Sequence, residues 1–441
     1  MPSSTKNVVP EGRRAVVVGG ARTPFVRAFA EFVEMDTIAL GVAAVKGLLD
    51  KPEVHKKLPW DAIDGIVWGG VILPTTAPNV GREIALDLGL PASVEAFTVT
   101  RACTSGLQSI TAAAAAIERG DADVLIAGGS DSTSNAALTM PQSFVHKVAP
   151  VAMSSKSGPR DYFKLLTDIS PRKDLLPKQP KIAERTTGEV MGESAEKMAG
   201  RNGVGRAEQD AFAARSHHRA AAAIESGRFD DEIVPVTTPK GKVVTHDTIV
   251  RGDTSEEKLG KLRPAFAKNG TLTAGNSSAL TDGAACVLLM SEEKAKELGF
   301  TPKAAFRSWT YVGVDPADQL LMGPALAMPR ALDRAGLTID DIDLVDMHEA
   351  FAAQVLSVLK MLESEAFAAQ RLAGSTPIGE ISTDKLNVHG GSVALGHPFA
   401  ATGARMVLTM ANELERTDHR TALLGICAAG GLGAGAVLEK V

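Results

Sequence analysis

Apolar and polar positions follow two rhythms along this chain. The continuous apolar run Ala15-Val16-Val17-Val18 leads into Gly19-Gly20, which reads as a buried strand that the glycines end and turn. Thr37 to Leu49 carries apolar side chains at helical spacing. Gly65 to Gly70 returns to a short buried strand, and Asn79 to Leu88 reads as a helix stopped near Gly89. Val94 to Thr100 predicts a strand running into Thr100-Arg101-Ala102-Cys103-Thr104-Ser105-Gly106, with a helix over Leu107–Arg119 beyond it. Gly120-Asp121 breaks that helix before the strand Val124–Ala127 and the turn Gly128-Gly129-Ser130. Strands and helices alternating at this density predict an α/β fold with layered sheets.

From about Met140 to Pro264 prolines, lysines and polar residues interrupt the pattern, apart from helical stretches at Glu193–Arg201 and Ala207–Ser226. The region 141–264 therefore reads as an insertion in an N-terminal core domain made of 1–140 and 265–296. Strand patterning resumes near Leu272 and again at Ala284–Met290. Glu292–Gly299 makes a boundary helix, and a second α/β half occupies 297–441. The two halves repeat weakly. Gly106 and Gly128 recur as Gly403 and Gly425, both at an offset of 297 residues and both in a loop–helix–strand–glycine context, which predicts a duplicated fold.

Composition narrows the function. A chain of 441 residues with 44% hydrophobic and 22% charged residues is globular, and a net charge of −5 gives no reason to expect nucleic-acid binding. No apolar run reaches membrane-span length, and Met1 to Arg14 lacks the apolar core of a secretory signal, so a cytoplasmic location is expected. The three cysteines, Cys103, Cys286 and Cys427, form no Cys-x-x-Cys pair. Neither a disulfide framework nor a structural zinc site is expected, and no metal is assigned. Between Pro141 and Arg185 nine basic residues, among them Lys147, Lys156, Lys164, Lys173, Lys178 and Lys181, face only four acidic ones. A solvated loop face is the ordinary meaning of such a run; a polyanionic substrate, an anionic lipid surface or an acidic partner is the sharper one. Within it Tyr162-Phe163-Lys164-Leu165-Leu166 can form one apolar helical face.

The Cys103 stretch places a thiol where a helix begins. The first N–H groups of a helix lack internal partners and carry partial positive charge, which favours a thiolate and lowers the thiol pKa. A small core cysteine is the commoner fate of a lone Cys, so this stretch alone leaves both open. Three segments of the second half also carry chemistry: His348-Glu349-Ala350-Phe351, Asn387-Val388-His389-Gly390-Gly391 through Gly396-His397-Pro398, and Cys427-Ala428-Ala429-Gly430-Gly431-Leu432-Gly433. An imidazole supplies a base of near-neutral pKa, and a thiol in a glycine-rich turn suits close backbone approach to a ligand.

Taken together, and in this order, with Ala21-Arg22-Thr23-Pro24-Phe25 and Gly275-Asn276-Ser277-Ser278-Ala279-Leu280-Thr281-Asp282-Gly283-Ala284, these motifs resemble the thiolase family over nearly the whole chain. The resemblance implies two pseudo-symmetric core domains in an αβαβα arrangement, with an inserted loop domain that receives coenzyme A as a substrate and no bound cofactor. It implies that Cys103 holds the acyl group, that His397 takes its proton, and that Cys427 serves as acid and base at the α-carbon. One oxyanion hole would comprise His397 and a water held by His348; the other would comprise the backbone N–H groups of Cys103 and Ala429. Ser278 would contact the pantetheine arm. Met322, within Asp318-Gln319-Leu320-Leu321-Met322-Gly323-Pro324, would bind substrate.

Two positions depart from the family's commonest pattern, which has Asn at His348 and Gly at Ala429. Protonation of His348 would make the site pH-sensitive, and Ala429 offers its N–H only where its φ is negative. Both departures, and the extra segment Met361–Lys385, are similar to the thiolase subunit of fatty-acid β-oxidation trifunctional complexes and its bacterial relatives. That likeness implies cleavage of 3-ketoacyl-CoA, a homodimer or homotetramer, and a possible hydratase/dehydrogenase partner subunit. A contact with a membrane surface is a further possibility. An enzyme acting mainly on acetoacetyl-CoA is the near alternative. A decarboxylating ketoacyl synthase, which pairs a Cys with two His or His and Asn, fits the Cys427 turn poorly, and retention of both cysteines argues against a non-catalytic subunit.

Overall fold

The computed structural model describes residues 11–177, 183–372 and 376–441. The described residues form twelve strands: β1 (Ala15–Arg22), β2 (Val26–Arg27), β3 (Gly65–Gly69), β4 (Glu95–Val99), β5 (Val124–Ser132), β6 (Val236–Thr237), β7 (Val243–Val244), β8 (Thr281–Ser291), β9 (Ala304–Gly313), β10 (Leu344–Met347), β11 (Thr421–Ala428) and β12 (Leu432–Lys440). Gly19 and Gly20 do not turn the chain, as their sequence suggested, but lie inside β1. An added Cβ at Gly20 would sit 2.6 Å from the Cys286 carbonyl oxygen, so glycine here serves close strand packing.

The duplication is visible in the sheet order. In the first half β3 is parallel to β5, β5 antiparallel to β8, and β8 antiparallel to β1. The second half repeats this with β10, β11, β12 and β9. β4 lies parallel to β3, and its counterpart is reduced to a single parallel bridge, Val345 with Leu386. The halves join edge to edge through Val16–Ala305 and Val17–Ala304.

Side chains alternate across each sheet with the strand period of two, and both faces are covered. On one outer face Leu40, Ala44 and Leu48 of the helix Thr37–Leu49, with Ile84, pack on Val16, Ile66 and Leu288. On the other, Met328, Val355 and Val358 cover Val345, Leu423 and Val437. Between the sheets lie the helices Ser105–Arg119 and Ala400–Arg416, whose Leu107, Ile110, Ala404 and Val407 touch apolar residues of both halves. The layers are helix, sheet, helix, sheet, helix.

The repeated glycines mark where these layers touch backbone to backbone. A Cβ on Gly106 would fall 2.1 Å from the Ala400 carbonyl oxygen, and one on Gly403 would fall 2.6 Å from the Leu107 nitrogen. The two central helices therefore cross at their first turns.

The stretch read as one insertion divides in two. Ala136–Ile182 is a compact unit of its own, while the chain from Ala183 onward, including the helices Met191–Arg201 and Arg206–Glu225, belongs with the core halves. The smaller unit contains the helices Gln142–Ala152 and Pro159–Asp168, neither of which buries a residue, and a Lys147–Asp174 ion pair of 2.8 Å. Lys178 and Lys181 lie outside the described residues. No helix among the described residues is long and apolar enough to cross a membrane.

Gly106→Ala is expected to lower stability by about 3 kcal/mol, because the clash is with backbone that cannot yield. Gly200→Ala, in the helix Met191–Arg201 with open space at its Cβ, is expected to raise stability by about 0.5–1 kcal/mol. Urea unfolding of the two variants checks both signs.

Candidate active site

Cys103 lies in the turn between β4 and the first central helix. Ser105 accepts a hydrogen bond from the Arg101 N–H at 2.7 Å and donates to the Ala102 carbonyl at 2.6 Å. This closes the turn tightly enough to hold Ala102 at φ +47°, a left-handed conformation costly for a residue with Cβ. Cys103 is half-buried. The backbone N–H groups of Ala429 and of Cys103 itself face its sulfur. The helix starts only at Ser105. Desolvation outweighs the favourable N–H groups, and together with nearby Asp131 it pushes the thiol up to about 11. The lowered pKa expected from a helix start is therefore not found: the resting group is a thiol.

His397 precedes the second central helix. Its backbone N–H donates to Thr281 Oγ1 at 3.0 Å, and its Nδ1 meets Thr402 Oγ1 at 2.7 Å. His348 follows β10, with its N–H on the Gly425 carbonyl at 2.8 Å and its Nδ1 2.9 Å from Ser392 Oγ. Both Nε2 atoms are buried without a protein partner. The ring centroids are 4.1 Å apart, and the Cys103 sulfur and one nitrogen of each ring lie within 4.8 Å of one another. Burial, and then the Arg405 charge, lower His397 to about 3. Burial, His397 and Arg405 hold His348 well below the usual histidine range. The pH sensitivity expected of His348 is thus corrected: both rings stay neutral at physiological pH. With Nδ1–H donated to its hydroxyl, each ring keeps an Nε2 lone pair that no protein group engages.

Cys427, near the end of β11, is buried and lies close enough to Cys103 for the two thiols to influence each other. Its own N–H and that of Ala350 face its sulfur, and burial together with the neighbouring Cys103 raises its pKa far above the usual thiol value. The left-handed positions of this turn fall on Gly430 and Gly431, not on Ala429, so Ala429 offers its N–H without strain. Ser278 binds the Ala350 carbonyl through both its N–H and its hydroxyl, each at 3.0 Å, and so anchors the residue that faces Cys427. Met322 is core, packed in the same apolar cluster as Cys427 and Phe351.

Several residues that matter carried no legible role in the sequence. Buried Glu349 accepts from Ser216 Oγ at 2.7 Å, Asn387 Nδ2 at 2.6 Å and the Val393 N–H at 3.1 Å, fixing the loop that carries Ser392. Asp131, at the end of β5, accepts from the N–H groups of Val71, Ile72 and Ala400 at 3.0, 2.6 and 2.8 Å, and desolvation raises it to about 7. Gly128-Gly129-Ser130, which read as a turn, lies inside β5, so the sequence carried no signal for Asp131.

A protonated thiol held between two neutral imidazoles and two convergent N–H groups, opposite a second buried thiol, defines a cysteine-dependent acyl-transferring enzyme on a duplicated α/β fold. Residues 15–293 match the family description Thiolase, N-terminal domain, and residues 300–440 match Thiolase, C-terminal domain; the chain belongs to the thiolase family. Its relatives include the 3-ketoacyl-CoA thiolases of Yersinia enterocolitica, 43% identical over 98% of both chains, and of Vibrio cholerae, 43% identical over 97% of both. The Bacillus anthracis acetyl-CoA acetyltransferase structure shares 31% identity at a TM-score of 0.80, over 97% of this chain and 99% of that one. Human mitochondrial 3-ketoacyl-CoA thiolase in complex with CoA shares 29% at 0.81, over 98% of each.

Because folded His397 takes its proton only near pH 3, while an unfolded histidine takes it near 6.5, its contribution to stability is complete above about pH 6.5 and is lost as pH falls toward 3. Between pH 7 and pH 5 this is worth about 2 kcal/mol. His397→Asn, which cannot take up that proton, is expected to lose that part of the acid-side slope in urea unfolding measured at the two pH values.

Proposed function

We propose that this enzyme cleaves 3-ketoacyl-CoA with coenzyme A, releasing acetyl-CoA and an acyl-CoA shortened by two carbons. The observation that carries this reading is the pairing of Cys103, enclosed by His397 and the N–H groups of Cys103 and Ala429, with Cys427 across the same space. The curated relatives named above bear the name 3-ketoacyl-CoA thiolase.

Cys103 Sγ attacks the 3-keto carbon while its proton passes to His397 Nε2. The high thiol pKa and low imidazole pKa mean that this transfer accompanies C–S bond formation; a free thiolate–imidazolium pair is disfavoured. The developing oxyanion is met by the N–H groups of Cys103 and Ala429. The C2–C3 bond then breaks, its electron pair goes to C2, and Cys427 protonates that carbon, giving acetyl-CoA. The thioester enolate oxygen is stabilised by His397 and a water held by His348. Cys427 next takes the proton of an incoming CoA thiol, whose sulfur attacks the acyl-enzyme. Cys103 leaves and recovers its proton from His397. In this reading the enzyme serves fatty-acid β-oxidation in the cytoplasm as a homo-oligomer, and a hydratase/dehydrogenase subunit is the partner chemistry that supplies its substrate.

The unit Ala136–Ile182 supports a contact with an anionic membrane surface. On the helix Pro159–Asp168, Tyr162, Phe163 and Leu166 share one face, are 48%, 70% and 74% exposed, and are flanked by Lys156, Arg160 and Lys164. Apolar side chains beside basic ones match an anionic lipid interface.

Cys103→Ser is expected to abolish covalent labelling by radioactive acyl-CoA, whereas Cys427→Ala keeps labelling and loses carbon–carbon cleavage by at least about 100-fold; equal loss of labelling in both would overturn the roles. The triple change Lys156→Glu, Lys164→Glu, Lys173→Glu is expected to lower binding to phosphatidylglycerol vesicles by about 3 kcal/mol or more, measured by cosedimentation with phosphatidylcholine vesicles as reference. Unchanged sedimentation would reject the membrane contact.

A further inference from the structure

The donor set at the active site has a second chemistry. Two imidazole nitrogens and a cysteine sulfur within 4.8 Å of one another are the ligand types that zinc prefers. A tetrahedral Zn²⁺ with bonds of about 2.0–2.1 Å to nitrogen and about 2.3 Å to sulfur separates its donors by about 3.3–3.6 Å, so small side-chain shifts close the site. Both His348 Nε2 and His397 Nε2 are buried and have no hydrogen-bond partner among the described residues, and the centroids of their rings lie 4.1 Å apart.

The outer shell is also in place. A metal-bound imidazole needs its other nitrogen anchored as a donor, which fixes tautomer and ring angle. Ser392 Oγ at 2.9 Å and Thr402 Oγ1 at 2.7 Å supply that anchor to His348 and His397. The second nitrogen ligand is His348, whose imidazole is a far better ligand for a soft divalent cation than an amide would be.

We propose that Cys103, His348 and His397 form a binding site for Zn²⁺ or a similar soft divalent cation, and that occupancy reversibly inhibits the enzyme by tying up its nucleophile and base. Binding forms one Zn–S and two Zn–N bonds and releases the Cys103 thiol proton to solvent; nothing is oxidised or reduced. A water completes the coordination. The ligands sit at positions 103, 348 and 397, too far apart in the chain for any local metal motif to announce them. The site rests on side-chain geometry and not on the substrate assigned above, so the two readings fail separately.

The test titrates the full-length, reduced protein with Co²⁺ and reads the near-ultraviolet sulfur-to-cobalt charge-transfer band, then measures Zn²⁺ affinity by competition with a chromophoric chelator. About one equivalent per chain is expected, with thiolysis lost in step and restored by chelator. Cys103→Ser is expected to remove the charge-transfer band. His348→Asn is expected to weaken Zn²⁺ binding by about 10-fold or more, and Cys286→Ser, altering a fully buried core thiol, to leave both readouts as in the parent. Unfolding midpoints confirm that each variant is folded. Absence of the band in the parent, its persistence in Cys103→Ser, or unchanged Zn²⁺ affinity in His348→Asn would overturn the proposal.

Discussion

The backbone crossing of the two central helices at Gly106 and Gly403 is the constraint on which the rest depends. No side chain separates the helices there, since any Cβ would strike Ala400 or Leu107. Both helices begin at the crossing, so the residues leading into them must converge. Cys103 arrives from one lead and His397 from the other. The strain of bringing two leads to one point falls on Ala102 at φ +47° and Phe399 at φ +23°, each beside a functional residue. Asp131 ties the arrangement together from below, holding the first N–H of one helix, Ala400, and the loop N–H groups of Val71 and Ile72.

The second constraint is the low dielectric that this enclosure creates. It works against charge at every titratable group in the site, raising both thiols and lowering both histidines. A resting site of neutral groups is chemically patient: its thiols are not standing thiolates. In the proposed reaction charge develops only transiently, first where a substrate carbonyl meets the N–H groups of Cys103 and Ala429. Buried charges also meet opposite charges here, as in Arg22 with Asp247 at 2.8 Å and Arg405 with Asp346 at 2.7 Å. The Arg405 charge adds to the force that keeps His348 and His397 neutral.

The duplication also explains why the halves do different chemistry on equal scaffolds. β3–β5–β8–β1 and β10–β11–β12–β9 have one topology, yet the β4 counterpart has shrunk to a bridge at Leu386. The chain beyond Leu386 is thereby free to form the loop that carries Gly391 and Ser392 before it reaches His397. An added Cβ on Gly391 would lie 2.4 Å from the Glu349 carboxyl, so this loop is moulded around a buried acid. One half contributes Cys103 from a tight turn. The other contributes Ser392 and His397 from the longer segment and Cys427 from β11.

Local pattern was enough to read the layered α/β class, the repeated glycines and the turns bearing Cys103, His397 and Cys427, because strand and helix periods of 2 and 3.6 and glycine-rich turns are written within a few residues. The N–H of Ala429 entered only through the resemblance to the thiolase family, and the structure shows that Gly430 and Gly431 take the left-handed positions beside it. The role of Gly19-Gly20 was not legible, since a glycine that ends a strand and one that admits a neighbouring backbone look alike until the neighbour is known. Nor were Ser392, Thr402 and Glu349 as orienting groups, whose partners are set by the meeting of distant loops. The extent of the separate unit, Ala136–Ile182, depends on which residues touch, not on where the composition changes. Protonation was the furthest from the sequence. A helix start argued for a thiolate at Cys103, but a pKa sums desolvation and charge over everything that surrounds the group, and only the tertiary structure puts those surroundings in place.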